Sequence, residues 1–419
     1  MNLLLALFLV SLYVRPQDWM PGLVGMPTHW ILLPLGLVMG SVSHRNLRTA
    51  MRTPQVRLMV GYLLVIFVST FANTDGETAF GQFVIFFQRG LVLGFILVIV
   101  STERRMMLAL RLILILSIFL AFQAWLQYST GESWGGQTRY PGYLETRVRW
   151  YGDWDGPNVF GLLFTLSAAM ALDLVFSGTS VPGKVLGVVG FISSFAGIFF
   201  TNSRGAFLGV LAAMGFYLRS RLKVWVAVPV AGLALATLVA IGPSRISEMS
   251  SKESSAHERT WVWEQGLHLL QDNPLLGIGR GQLASHNEAG LIAHNNYVQN
   301  FAETGLLGFF FFMALVWFSF RAAYTVQQPS NGYSPGLQAA GRRLSSMLVA
   351  YCATTFFVVM ENDLLYVLFG LGASLAVLAV RQKPERDLIT IARRDLMVIG
   401  GAMVSIIAAV WLVAVKELF

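Results

Sequence analysis

Residues 106–127 read MMLALRLILILSIFLAFQAWLQ, a long apolar run in which Arg111 is the one charged side chain. A helix of this length rises about 33 Å, and the hydrocarbon core of a bilayer is about 30 Å thick. A backbone in that core must satisfy its own polar groups, which favours a helix. The run therefore predicts a transmembrane helix, and its repetition along the chain decides the fold.

Similar runs recur along the whole sequence. We predict spans at 2–14, 28–43, 58–72, 83–101, 106–127, 158–176, 185–201, 205–218, 224–241, 304–320, 344–360, 364–380 and 396–415. Charged residues make up only 12% of the chain and the mean hydropathy is +0.61, whereas a soluble domain has about 25% charged residues. This composition excludes a soluble enzyme, a disordered chain and a disulfide scaffold. The predicted fold is an all-α polytopic transmembrane helix bundle of about 12–13 spans, with residues 1–419 as one integral membrane domain.

The distribution of charge predicts the orientation of the bundle. The net charge is +8, which in a soluble chain would indicate a nucleic-acid partner. With a cytoplasmic N-terminus, alternating loops place 18 of the 30 Lys and Arg residues inside and eight outside, as the positive-inside rule requires. We therefore assign the basic excess to cytoplasmic loops and predict no nucleic-acid partner. Cys352 is the only cysteine, so no intrachain disulfide is expected.

Two of the predicted outside segments are long, at 128–157 and 242–303. Four of the six histidines lie in the second, and histidine is the side chain that titrates near neutral pH. The pattern from Ser255 to Glu258 predicts a capping box that begins a helix, and a further helix is expected from about Ala293 into the next span. One alternative is a solvated loop with incidental histidines. The other is a large outside loop that carries catalytic residues.

Residues 293–305 read AHNNYVQNFAETG and concentrate polar side chains at the edge of a span. At helical spacing His294 shares a face with Val298 and Phe301, whereas the amides and Glu303 occupy another face. Polar groups near a membrane are costly unless they are satisfied or used. The segment therefore predicts the floor of a polar cavity.

Two arginines outside the apolar runs are candidates for binding an anion. Arg204 follows Asn202 in the short connection TNSRG between two spans, where it either snorkels to the membrane surface or clamps an anion with its planar fork. Arg259 lies in the first turn of the predicted loop helix, where a cation opposes the helix dipole. A salt bridge to Glu264 is the alternative role for Arg259.

Further polar residues stand out against the apolar background. Asn158 directly follows the first long loop, and Arg89 lies inside an apolar run. Arg280 belongs to the glycine-rich stretch GIGRG, and Glu361 lies at a tight outer turn. An intramembrane arginine is a functional candidate by default. The sequence has no HExxH, CxxC or GxSxG motif, and the triplet Asp153-Trp154-Asp155 is interpreted as a turn before a helix, so metal-dependent transfer and serine hydrolysis are not predicted.

Taken in order, these motifs resemble the O-antigen ligase and O-antigen polymerase superfamily of bacterial envelope glycosyltransferases. The resemblance rests on DGPN at 155–158, TNSRG at 201–205, ERTW at 258–261, NPLLGIG at 273–279, HNNY at 294–297 and ETGLLG at 303–308, and it covers about 155–310. It implies a C-type glycosyltransferase fold in the inner membrane with a periplasmic active site. The family's two arginines match Arg204 and Arg259, and its histidine matches His294.

The resemblance implies that glycan moves from undecaprenyl diphosphate to an acceptor, with no cofactor. Arg204 and Arg259 would hold the diphosphate, and His294, with a near-neutral pKa, would take the proton of the acceptor hydroxyl. The reaction would be metal-independent and inverting, and the lipid tail would lie between helices. The residues expected to bind substrate are Asn158, Asn202, Asn295, Arg89, Arg280, Glu303 and Glu361.

Several functions remain open from the residues alone. A ligase acting on lipid A-core is preferred, and a polymerase joining lipid-linked repeats is the alternative, since both present arginines to the same donor. A transporter is expected to show broken helices and mid-bilayer charges, for which Arg89, Arg111 and Asp173 are the candidates. A non-catalytic scaffold protein would not need Arg204, Arg259 and His294 together. The sequence predicts no oligomeric state.

Overall fold

A computed structural model describes residues 1–44, 47–140, 147–219 and 254–416. Fifteen α-helices and no β-strand lie within these ranges. The helices are α1 (Asn2–Tyr13), α2 (Pro16–Trp19), α3 (Thr28–Ser43), α4 (Leu47–Met51), α5 (Pro54–Asn73), α6 (Gly76–Ile99), α7 (Glu103–Thr130), α8 (Pro157–Ser177), α9 (Val181–Thr201), α10 (Arg204–Leu218), α11 (Ser254–Asp272), α12 (Asn296–Gln327), α13 (Pro335–Thr354), α14 (Asp363–Gln382) and α15 (Arg393–Lys416).

Eight of the described helices are long and apolar enough to cross a membrane, namely α5, α6, α7, α8, α9, α12, α14 and α15. Three shorter apolar helices, α1, α3 and α10, accompany them. The chain is thus an all-α, multi-pass membrane bundle, which confirms the predicted fold class. Each predicted span within the described ranges coincides with a helix over most of its length, and the span predicted at 224–241 falls outside those ranges.

The most enclosed of the membrane-spanning helices in the described ranges are α8 and α14. In the apolar window of α14 94% of the residues are buried and in that of α8 83%, against 17% for α15. Gly370 shows how closely α14 packs, since a Cβ there would lie 2.7 Å from the Cβ of Ile96 on α6. The enclosed helices therefore form the interior of the bundle, whereas α15 lies at its periphery.

A buried ionic group joins α8 and α13 within this core. Asp173 is fully buried, and its carboxylate accepts from Arg342 Nε at 2.6 Å and from Arg343 Nε at 2.9 Å. A buried carboxylate is tolerated when donors surround it. The intramembrane charge expected of a transporter is therefore part of a structural link here.

The span predicted at 344–360 differs from the observed helix. The helix α13 begins earlier, at Pro335, and ends at Thr354. Residues 355–362, which we call the 355–362 segment, are not helical. The carbonyl of Thr355 accepts instead from the backbone N–H of Asn296, at 2.9 Å, on the first turn of α12. Irregular backbone within a membrane protein is tolerated where protein surrounds it or where it lines a cavity.

Candidate functional site

The connection between α9 and α10 places Arg204 at the first position of a helix. Asn202 ends α9 in the left-handed conformation, with φ of 52°, and Ser203 caps α10 by accepting from Ala206 N–H. A Cβ on Gly205 would lie 3.0 Å from the Cβ of Phe357. The turn that carries Arg204 and Asn202 thus packs closely against the 355–362 segment.

Asn158, at the start of α8, lies beside the same turn. Its Oδ1 accepts from Arg147 Nη2 at 2.7 Å, while Arg147 Nε donates to the carbonyl of Thr201 at 2.9 Å. Arg147 therefore ties Asn158 to the end of α9. Arg147 escaped the sequence analysis because it lies in a loop where no spacing pattern marks it.

The helix α11 begins at Ser254, so Arg259 lies in its second turn and the prediction of the first turn was wrong. The helix packs on the start of α12. Trp263, one turn after Arg259, donates from Nε1 to the carbonyl of Ala293 at 2.8 Å. Its ring also lies edge-on to Phe356, with 5.4 Å between centroids. These contacts bring Arg259 to the residue before His294 and to the 355–362 segment.

His294 lies just before α12 and not within it. The helix begins at Asn296, and the side chain of Asn295 caps it by accepting from Tyr297 N–H at 2.9 Å and from Val298 N–H at 3.1 Å. The prediction that His294 shares a helical face with Val298 was therefore wrong, because the cap at Asn295 ends the helix first. The φ of His294 is +49°, a conformation that is uncommon outside glycine and concentrates at functional sites.

The environment of His294 favours the neutral imidazole. Burial and the nearby charge of Arg259 lower its pKa from 6.5 to about 4. The near-neutral pKa predicted from the sequence was wrong, because the ring is half-buried and a guanidinium lies close to it. At pH 7 His294 is therefore unprotonated and able to accept a proton.

A break in α12 positions the glycine-rich stretch. Gly305 interrupts the helix with a φ of +63°. The carbonyl of Ala302 accepts from Ile278 N–H at 3.2 Å, and the carbonyl of Glu303 accepts from Gly279 N–H at 2.9 Å. A Cβ on Gly277 would lie 2.6 Å from the carbonyl oxygen of Ala302. Glycine is required here for the close approach of two backbones.

This contact delivers Arg280 into a polar cavity of about 320 Å³. The walls come from α6, α12, the 355–362 segment and the loops around 153 and 280. Four residues that the sequence singled out for substrate binding line it together, namely Arg89, Arg280, Glu303 and Glu361. The polar cavity predicted beside residues 293–305 is therefore present in the structure.

Within the polar cavity Arg280 is held by two carboxylates. Its Nη2 lies 2.7 Å from Glu361 Oε2 and its Nε 3.4 Å from Glu303 Oε2. Burial lowers the pKa of Arg280, but Glu361, Tyr62 and Glu303 outweigh that effect and raise the pKa above its usual range. Arg280 stays charged despite being only 7% exposed.

Glu361 is already saturated with donors. Its Oε1 accepts from the hydroxyls of Tyr62 and Tyr366, and its Oε2 accepts from Arg280 and from Asn300 Nδ2. A carboxylate has about four lone-pair sites, so these donors fill it. Glu361 holds Arg280 in place and has little capacity left for a ligand. The two tyrosines escaped prediction because each lies within an apolar run, where no polar pattern marks it.

A second, apolar cavity of about 630 Å³ lies between α12, α13 and α15, and we call it the apolar groove. Its lining is almost wholly aliphatic and aromatic and includes Trp317, Phe320, Ala402, Phe356 and Phe357. Phe356 is the ring that Trp263 contacts, and Phe357 is the side chain that lies against Gly205. The groove therefore ends at the turn of Arg204 and the helix of Arg259.

The predicted residues thus form two neighbouring groups around the 355–362 segment. On one side, Arg259 is close enough to His294 to lower its pKa, and the turn of Asn202 and Arg204 lies between Asn158 and Phe357. Asn295 directly follows His294. The polar cavity holds the rest. Gln299 connects the two, because its Oε1 accepts from Ala293 N–H at 3.0 Å and its Nε2 donates to Glu303.

A family model described as O-antigen ligase matches residues 189–313. The matched stretch contains Arg204, Arg259, Arg280 and His294, and it supports the resemblance to the O-antigen ligase superfamily that the motifs indicate. No curated protein matched the chain.

Proposed function

We propose that this protein is a glycosyltransferase that moves a glycan from undecaprenyl diphosphate to an acceptor hydroxyl at the periplasmic face of the inner membrane. The observation that carries the proposal is the apolar groove, whose residues Phe356 and Phe357 lie against the helix that carries Arg259 and the turn that carries Arg204. A lipid-linked diphosphate has this same order of parts: a long apolar tail, two phosphates and a reactive sugar carbon. The O-antigen ligase match over 189–313 supports the reaction class.

The donor would lie with its tail in the apolar groove and its diphosphate at Arg204 and Arg259. Guanidinium groups bind phosphate through parallel hydrogen bonds and remain charged at any working pH. As the bond between the sugar carbon and the phosphate oxygen breaks, negative charge grows on the diphosphate. Fixed positive charge at that position stabilises the transition state.

His294 would act as the general base. The acceptor oxygen attacks the anomeric carbon, its proton passes to the imidazole, and undecaprenyl diphosphate leaves with the bonding electrons. Direct displacement inverts the configuration at that carbon, and the diphosphate supplies the leaving group without a metal. The neutral state of His294 supports this role, since a protonated ring cannot accept the proton.

Lipid A-core is the preferred acceptor, and another lipid-linked repeat is the second. Deletion of the gene followed by analysis of surface and lipid-linked glycans separates the two. Loss of a ligase leaves long polymer on the lipid carrier, whereas loss of a polymerase leaves single repeats joined normally to the acceptor. Unchanged glycans of both kinds would refute the proposed function.

Filling the apolar groove should weaken donor binding. Ala402 lies on the groove wall, so the bulky side chain of Ala402→Trp is expected to compete with the lipid tail. We expect KM for the lipid-linked donor to rise about tenfold, the equivalent of about 1.4 kcal/mol, with kcat within twofold. Ala408→Trp is the matched control, because Ala408 is an exposed residue of the same helix. Equal KM values for the two variants would contradict the assignment of the groove.

The pH dependence of transfer should report the low pKa of His294. Because the active base is the neutral ring, kcat/KM is expected to stay level from pH 7 to about 5 and to fall through about 4. Arg259→Gln removes a charge that lowers this pKa, so its residual activity should show the acidic limb at higher pH. An acidic limb near 6.5 in the wild-type protein would contradict the assigned environment.

The same shift predicts a loss of stability in acid. The pKa of His294 is lower in the folded protein than the ordinary 6.5, so the unfolded chain binds the proton first. The stability contribution is present above about 6.5 and declines as the pH falls toward 4. Tryptophan fluorescence recorded at each pH would separate this unfolding from the loss of catalysis.

A further inference from the structure

We propose that the polar cavity around Arg280 is a subsite for an uncharged sugar residue of one of the two glycan substrates. The inference rests on the proposed function, which supplies the glycans, but it concerns a different set of side chains from the arginines at the apolar groove. Its volume of about 320 Å³ is at the lower end for small-molecule sites, which suits a single sugar ring.

Two buried donors in this cavity lack an acceptor among the described residues. Arg280 is 7% exposed, and its Nη1 has no hydrogen-bond partner while Nε and Nη2 contact carboxylates. Asn362 is 8% exposed, and its Nδ2 is likewise without a partner. An unsatisfied buried donor costs about 1–3 kcal/mol and calls for an explanation. An oxygen-rich ligand between them supplies what both need.

The orientation of Asn362 is fixed by its role as a helix cap. Its Oδ1 accepts from Leu364 N–H at 3.2 Å, at the start of α14. The amide nitrogen must therefore point away from the helix, and Asn362 is one of the residues that line the cavity. A ligand is the natural acceptor for a donor held in this way.

The charge of the lining favours a neutral ligand over a phosphate. Two guanidiniums, Arg89 and Arg280, face three carboxylates, Asp153, Glu303 and Glu361. A diphosphate placed here would have to compete with Glu303 and Glu361 for the guanidinium of Arg280, and those two carboxylates would repel it. Sugar hydroxyls accept from the two orphan donors and can donate to Asp153, whose side chain is 37% exposed.

The charged groups of the cavity are held in position by their neighbours. Arg89 and Arg280 both lie over the buried ring of Phe86, at 4.3 and 4.9 Å from its centroid. Asp153 is held in position by its neighbours, because Trp150 Nε1 and Trp154 Nε1 donate to backbone carbonyls at the end of α1. The polar groups are thus preorganised, which lowers the entropic cost of binding.

The test uses the purified full-length protein and four probes: glucose, N-acetylglucosamine, glucuronate and pyrophosphate. Saturation-transfer NMR should show binding of the neutral sugars, weaker binding of glucuronate and no displacement of a sugar by pyrophosphate. Asn362→Ser deletes the amide donor but keeps a good capping oxygen, so we expect sugar affinity to fall about five- to tenfold. Asp75→Ser is the control, since Asp75 caps α6 at an exposed position.

A kinetic arm identifies which glycan supplies the sugar. A rise in the acceptor KM of Asn362→Ser assigns the cavity to the acceptor, and a rise in the donor KM assigns it to the donor's sugar; kcat should change little in either case. Unchanged KM values for both substrates, or neutral-sugar binding equal to wild type, would overturn the proposal. Arg204→Ala separates the two hypotheses, because it should lose transfer while it retains sugar binding.

Discussion

Alanine substitution of His294 is expected to lower the transfer rate by about 10²–10⁴, the usual contribution of a general base. The imidazole is neutral at pH 7 and lies near Arg259. The other histidine of residues 273–295, His286, is exposed and is not expected to replace it. The measurement is transfer from lipid-linked donor by protein reconstituted in liposomes.

Alanine substitution of Arg204 or Arg259 should lower the rate by about 10²–10³, the effect of removing one group that stabilises a growing oxyanion. Lysine at either position should restore little activity, because it lacks the planar fork that pairs with phosphate. Double variants should lose less than the product of the single losses, since groups acting on one transition state are not additive.

Arg149→Gln is the matched control for these variants. Arg149 also belongs to a loop, but its side chain pairs with Asp155 at 2.9 Å and takes no part in either cavity. Its activity should match that of the wild type. Full activity in all three alanine variants, with normal insertion into the membrane, would refute the site.

The sequence predicted the helices well because their signal is local. An apolar run of twenty residues has one stable form in a bilayer, so α7 and α14 follow from composition alone. Arg204, Arg259 and His294 could be singled out from the sequence for a different reason. Charged and titratable groups are scarce in this chain, so each one outside the basic loops stands out.

The geometry of the site depends on contacts that no local pattern carries. Arg280 and Glu361 are 81 residues apart in the sequence and pair at 2.7 Å. The helix α13 ends at Thr354, and the carbonyl of Thr355 accepts from the backbone N–H of Asn296. The left-handed His294 and the break at Gly305 likewise follow from packing against α11 and the loop 273–279. Such features are settled by tertiary contacts, which override local propensity.

The ion pair between Arg280 and Glu361 also changes the roles expected of the individual residues. Glu361 was expected to bind substrate, yet four donors fill its carboxylate. Asn362, its neighbour, carries the donor without a partner in the described part of the chain. Within one short segment, the charged residue therefore positions Arg280, while the neutral amide faces the cavity.

Glu361→Ala is expected to cause a large loss of stability. Removing this carboxylate leaves Arg280 buried with only Glu303 beside it and deprives Tyr62, Tyr366 and Asn300 of an acceptor. Loss of one partner from a buried ion pair costs about 3–5 kcal/mol. The free energy of unfolding in detergent, followed by tryptophan fluorescence in denaturant, measures it.

Two further variants test how much of this loss of stability comes from a single hydrogen bond and how much any glutamate substitution would cause. Tyr366→Phe removes a single donor to Glu361 and should cost about 1 kcal/mol. Glu288→Ala is the control, because Glu288 is exposed and its removal should change little. If Glu361→Ala unfolded like Glu288→Ala, water would be satisfying Arg280 and the tyrosines. Glu361 would then not position Arg280, and the cavity would be more hydrated than its burial implies.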